Sequence, residues 1–188
     1  MVLRAIPQTD VMYPGGGIVG DSYGLQQVNV VTGKQVDSAS LNGVIMVGTF
    51  AWGIIAASSN TVHANSNVTQ LPDGTKPFAG YVWRSQQNVI PWSTEQYGYG
   101  FAIKAGDNID LVNQGTFLVY APSLNGGGII LAGDILVQNE TDGTVKSQTS
   151  LTIPGGYVLV PGFKVINATP DNITAGSNIV VMSNVKQF

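Results

Sequence analysis

Ile103-Lys-Ala-Gly106-Asp107-Asn-Ile109 is a phrase the chain uses three times, returning as Ile130-Leu-Ala-Gly133-Asp134-Ile-Leu136 and Ile173-Thr-Ala-Gly176-Ser177-Asn-Ile179. Each copy sets Ala-Gly and a small polar side chain between apolar runs, which reads as strand, tight turn, strand. The glycines stand 27 and 43 residues apart, from Gly106 to Gly133 to Gly176. A solenoid needs a fixed period, so these are recurring turns inside one sheet-rich domain.

Outward from the phrase, short apolar runs continue at 109–112, 116–120, 129–131, 135–139, 144–148, 157–160, 162–166 and 179–182. Asn113-Gln-Gly115, Asn125-Gly-Gly-Gly128, Asp142-Gly143, Pro154-Gly-Gly156 and Pro161-Gly162 separate them. Upstream lie a β run at Val28-Asn-Val30, a hairpin signal at Asn42-Gly43 and a run from Val44 to Phe50. Phe78-Ala-Gly-Tyr-Val-Trp83 follows the Pro72-Asp73-Gly74 turn. Between 97 and 104, Tyr97, Tyr99, Phe101 and Ile103 alternate with Gly98, Gly100, Ala102 and Lys104, giving one bulky face and one bare one. The bare face suits close approach of another sheet or a bend at a barrel corner. Residues 54–71 are free of Gly and Pro, but their Ser and Asn compete for backbone hydrogen bonds, so a loop with a short turn or a marginal helix is expected there.

The pattern predicts an all-β fold: a compact β-barrel or β-sandwich of short antiparallel strands with an extended N-terminal arm. Residues 1–20 form the arm and residues 21–188 a single β-rich domain. At 188 residues the chain can bury about 70% of its unfolded surface without staples. In the arm, Leu3, Ile6, Val11, Met12 and Tyr13 have no partners in their own segment and are candidate interface residues. Trp92, after Pro91, joins them as an exposed aromatic; Trp83, inside an apolar strand, reads as core.

Composition narrows the function. The chain has no Cys, which excludes disulfides and thiolate zinc. Charged residues are 10% against 44% apolar, leaving a surface of Asn, Gln, Ser, Thr and Gly that repels its own copies weakly and suits permanent association. Eight basic residues scattered singly, with a net charge of −3, offer no footprint for nucleic acid. No run of about 18 apolar residues is present, so no membrane-spanning helix is expected. Met1 to Asp10 lack a continuous apolar region, and no secretory signal is read there.

Three chemical readings fail on context. Gly15-Gly-Gly17-Ile-Val-Gly20 matches a dinucleotide fingerprint, but Tyr13-Pro14 precedes it where a strand should stand and Asp21-Ser-Tyr-Gly24 follows where a helix should begin. Gly20-Asp21-Ser22-Tyr23 resembles the nucleophile block of GDSL-type hydrolases, yet the lone His63 is far from the C-terminal place that family gives its base. Asp107 with Asp110, and Glu140 with Asp142, lack the alternating spacing of a calcium loop. No catalytic residue, cofactor or metal is assigned, and the chain reads as no enzyme.

Several blocks together resemble the structural cement, or capsid decoration, proteins of tailed bacteriophages. They are Pro14-Gly-Gly-Gly-Ile-Val-Gly20-Asp21, Gly43-Val-Ile-Met-Val-Gly48, Phe78-Ala-Gly-Tyr-Val82, Gly115-Thr-Phe-Leu-Val119, Ala132-Gly-Asp134 and Asp142-Gly143. The arm before Gly15 and the loop from Ser58 to Thr75 are longer than that pattern. The resemblance implies a non-enzymatic virion protein, made in the host bacterial cytoplasm and placed on the exterior of the head. Its partners would be the major capsid protein and itself as a homotrimer, without nucleic acid or membrane. The alternative from the residues alone is a glycan- or receptor-binding β-module of a phage fibre or tail, resting on Trp92 and the tyrosines.

Overall fold

The computed structural model describes residues 20, 29–38, 40–53, 67–83, 90–94, 98–125, 130–167 and 179–183. The expected arm up to residue 19, with its residues Leu3, Ile6, Val11, Met12 and Tyr13, lies outside that set, as do Ser22, His63 and the third copy of the phrase up to Asn178. Among the described residues no helix is long and apolar enough to cross a membrane.

Thirteen strands are described: β1 (Asn29–Val36), β2 (Val44–Met46), β3 (Phe50–Gly53), β4 (Asn67–Thr69), β5 (Phe78–Tyr81), β6 (Ile90–Thr94) and β7 (Gly98–Lys104). After them come β8 (Asn108–Gln114), β9 (Thr116–Tyr120), β10 (Ile135–Asn139), β11 (Val145–Gln148), β12 (Tyr157–Asn167) and β13 (Ile179–Ser183). They build a closed barrel in the order β1-β4-β3-β5-β8, a five-stranded sheet β11-β10-β12-β13-β9 and a three-stranded sheet β2-β7-β6. The all-β expectation holds, with a closed barrel and two additional sheets. Among the described strands, β1 and β4 pair in parallel, Gln35 opposite Asn67 and Val36 opposite Val68.

One core lies between the barrel and the three-stranded sheet, with Val36, Ala51, Val68, Ile109 and Leu111 against Ile45 and Ile103. A second lies on the other face of the barrel strands β3, β5 and β8, where Phe50, Tyr81 and Val112 meet Phe117, Leu136, Val160, Phe163 and Val165 of the five-stranded sheet, including its edge strand β9. The Phe50 ring stands 5.4 Å from Tyr81 and 5.3 Å from Phe163. These tilted aromatic contacts favour one register of the two layers.

Five local expectations are corrected. The run from Val44 to Phe50 is two strands in different sheets. Val47 N–H donates to Phe101, Gly48 N–H to Val82, and Thr49 Oγ1 to the Met46 carbonyl at 2.7 Å, turning the chain from β2 into β3. Asn42 and Gly43 do take positive φ (55° and 68°), but β1 and β2 do not pair, so the turn links sheets and makes no hairpin. Asn67–Thr69 is a strand where a loop is expected, because pairing to β1 on one side and β3 on the other overrides the local polar bias. Ile130 and Leu131 form no strand; Ile130 is a core residue in the approach to the turn.

Pro161-Gly162 is likewise no separator. β12 runs straight through it, and the pairing moves from Val137 opposite Leu159 to Ile135 opposite Lys164. Those extra residues form a bulge, with Pro161 and Gly162 exposed while Val160 and Phe163 both stay on the core face.

Both described copies of the phrase do the same thing. Asp107 N–H donates to Lys104, Gly106 N–H to Val36, and Val36 N–H to Asp107. Asp134 N–H donates to Leu131, Gly133 N–H to Val165, and Val165 N–H to Asp134. Two residues oppose one, with Gly106 at φ 87° and Gly133 at φ 94°, the arrangement of a glycine bulge on a tight turn. Each bulge starts a strand, β8 against β1 and β10 against β12, and sets its register.

Candidate interaction surface

The outer face of the five-stranded sheet follows from its registers. Lys146, Val137 and Leu159 stand in one row across β11, β10 and β12; Gln148, Ile135 and Lys164 stand in the next. Neighbours in a row are about 4.8 Å apart between strands. On the opposite face, Leu136, Val145 and Phe163 enter the core.

β11 and β12 flank β10 and are both antiparallel to it, so residues 149–156 must return along β10. The inner face is filled, which sends this connection across the outer one. It is held at both ends of β10: Thr149 Oγ1 donates to Asp134 Oδ1 at 2.8 Å, and Glu140 N–H to the Gly156 carbonyl at 2.9 Å. Between them Gln148 Nε2 donates to Thr152 at 3.2 Å and Thr152 N–H to Ser150 Oγ at 3.1 Å. Under this strap Val137 is fully buried although it faces outward.

Large apolar side chains remain uncovered around the strap. Leu151, at its crest, is 81% exposed; Leu159 and Ile166 on β12 are 42% and 47% exposed. Leu131 is half exposed, and the bulge bonds between Gly133 and Val165 set its turn beside the Ile166 end of β12. Lys164 is exposed and Lys146 half-buried. Asp134 is buried, its Oδ2 accepting from Leu131 N–H at 2.9 Å and its Oδ1 from the Thr149 hydroxyl.

Of the sequence-derived interface residues, Trp92 has its backbone in β6 opposite Gly100. Its side chain, like the five arm residues, lies outside the described set. Gly20 N–H donates to the Leu118 carbonyl on β9 at 3.0 Å. Trp83 packs half-buried on the second core, and Trp52 is buried. The strap and the β12 face were not legible as a surface, although an isolated Leu151 between Ser150 and Thr152 is the signal that marks the crest.

Asp107, Glu140 and Asp142 are turn residues, whereas Asp110 lies on a strand. Asp142 Oδ1 accepts from Thr144 N–H at 2.8 Å and from its hydroxyl at 2.7 Å, and Asp110 is exposed on β8. Among the described residues no group of three His, Cys, Asp or Glu gathers to hold a metal ion. At Asp73, partial burial by itself would raise the carboxyl. The hydroxyl and backbone N–H of Thr75, and the backbone and side chain of Lys76, outweigh it and lower the pKa to about 2.

Residues 6–184 match the family described as "Structural cement protein (E217 gp24/Pam3 gp6)". A chain of the solved capsid of Myoviridae phage XM1 has the same fold, with a TM-score of 0.54 and 14% identity over 98% of this chain and 100% of that one. A search of curated proteins finds no match. Spanning almost the whole sequence, the family match shows that the chain belongs to the structural cement proteins of phages and serves as a structural protein of the virion.

Proposed function

We propose that the protein binds the outside of an assembled phage head and stabilises the contacts between major capsid subunits, without enzymatic activity. The observation that carries this is the family match over residues 6–184. The resemblance of the turn-and-strand blocks adds a homotrimer, and trimeric presentation adds avidity across neighbouring subunits. A protein that binds the assembled shell and not its separated subunits stabilises the shell by mass action. The arm, residues 1–20, lies on a neighbouring chain or on the shell, with Leu3, Ile6, Val11, Met12 and Tyr13 as its contacts. The anchorage of Gly20 on the β9 edge gives such an arm a fixed point of departure.

Heating decorated and undecorated heads tests the reading. Decorated heads should disrupt at a higher temperature, and the protein should sediment with expanded shells. Equal disruption temperatures without co-sedimentation would overturn it.

A further inference from the structure

We infer that the strap-covered face of the five-stranded sheet is the surface that meets the shell, and that it fits an apolar patch bordered by carboxylates on the major capsid subunit. This rests on the cement reading above and names the contact within it.

The strap is an ordered element tied to both ends of β10, yet it carries a leucine that is 81% exposed. The chain on either side of Leu151 is held by the bonds of Thr149 and Thr152, so covering this exposed leucine removes apolar area from water with little backbone ordering to oppose it. Leu159 and Ile166 extend the apolar surface along β12. Charge selects the partner. Lys146 shares the row of Leu159, and Lys164 lies beyond the bulge on the same face. Asp134, at the start of β10, is buried and occupied by Leu131 and Thr149. Glu140 stands past the other end of β10, near Gly74. A face with exposed leucines and two lysines complements an apolar surface rimmed by carboxylates and disfavours a basic one.

Purified expanded heads and the full-length protein test this by co-sedimentation. Leu151→Asp and Leu159→Asp should each weaken binding about tenfold or more, the scale of an interface anchor. Lys164→Glu should weaken it and flatten its salt dependence, while the matched change Lys104→Glu, on the exposed end of β7, should do neither. Because the chain contains no cysteine, Leu151→Cys supplies a unique thiol in a minimally altered surface. Its maleimide labelling should slow several-fold on heads. Wild-type binding with unchanged affinity in the aspartate variants and unchanged labelling of the thiol overturns this surface while leaving the cement role standing. Loss of self-association with intact head binding assigns the face to a second copy and overturns the inference too. Failure of the wild type itself to bind heads removes the cement role and this contact with it.

Discussion

The indole of Trp52, on the barrel, is fastened to the carboxamide of Gln138, on the five-stranded sheet: Nε1 donates to Oε1 at 2.7 Å inside the protein. The amide nitrogen of Gln138 faces the carbonyls of Gln70 at 2.9 Å, Gly143 at 3.0 Å and Phe50 at 3.2 Å. Gln138→Leu keeps the bulk and strands these groups without water. The cost should be about 2–4 kcal/mol, the scale of buried groups left unsatisfied. For a chain of this size the thermal midpoint should fall by about 5–15 °C, read by circular dichroism. An unchanged midpoint would show that the layers are joined by their aromatic contacts alone.

Gly80 and Gly106 separate two reasons for glycine. A Cβ on Gly80, at φ 149°, would stand 2.9 Å from Leu111 Cβ and 3.0 Å from the Val112 carbonyl, whereas one on Gly106 meets nothing within 4 Å. Gly80→Ala should therefore cost about 2–4 kcal/mol from overpacking and strain together. Gly106→Ala should cost about 1–2 kcal/mol from the left-handed backbone alone. Urea unfolding of both variants should reproduce that order.

The twin turns differ in their aspartates. Asp134 is buried and accepts from Leu131 N–H and Thr149 Oγ1, while Asp107 is half-exposed. Asp134→Ala should destabilise by about 2 kcal/mol or more, and Asp107→Ala by less than about 1 kcal/mol. Equal losses would mean that the backbone bulge carries the turn in both places.

Asp73 gives the fold an acid-sensitive corner. Its folded pKa of about 2 lies below the ordinary 3.8, so its contribution is full above about pH 4 and is lost as the pH falls toward 2. The side chain is 47% exposed and its bridge to Lys76 Nζ spans 3.3 Å, so solvent screening keeps the contribution below about 1 kcal/mol. The stability difference between wild type and Asp73→Asn should be largest near neutrality and vanish near pH 2. A carboxyl titration by NMR with a midpoint near 4 would contradict it.

Much of the framework was legible because its signals are local. The alternation from Gly98 to Lys104, the strands at 116–120 and 135–139 and the turn at Gly106 each depend on a few adjacent residues. What escaped depends on partners distant in sequence. Asn67–Thr69 becomes a strand through β1 and β3, and Pro161-Gly162 stays inside β12 because β10 and β13 pair on either side of it. The same limit hid the strap: that residues 149–156 return across β10 follows from the order of three strands. Its anchoring bond from Thr149 to Asp134 joins residues far enough apart that no motif displays it.

The paired bulges have a mechanical consequence. Gly106 and Asp107 hold both backbone groups of Val36, and Gly133 and Asp134 hold both of Val165. For β8 or β10 to slide along its neighbour by one residue, both bonds of its hook must break together, before any new pair can form. A one-residue slide would also turn the strand's core side chains outward. The two described copies of the phrase are thus register stops, each adding a pair of bonds at the start of β8 or β10 that a slide along the neighbouring strand has to break.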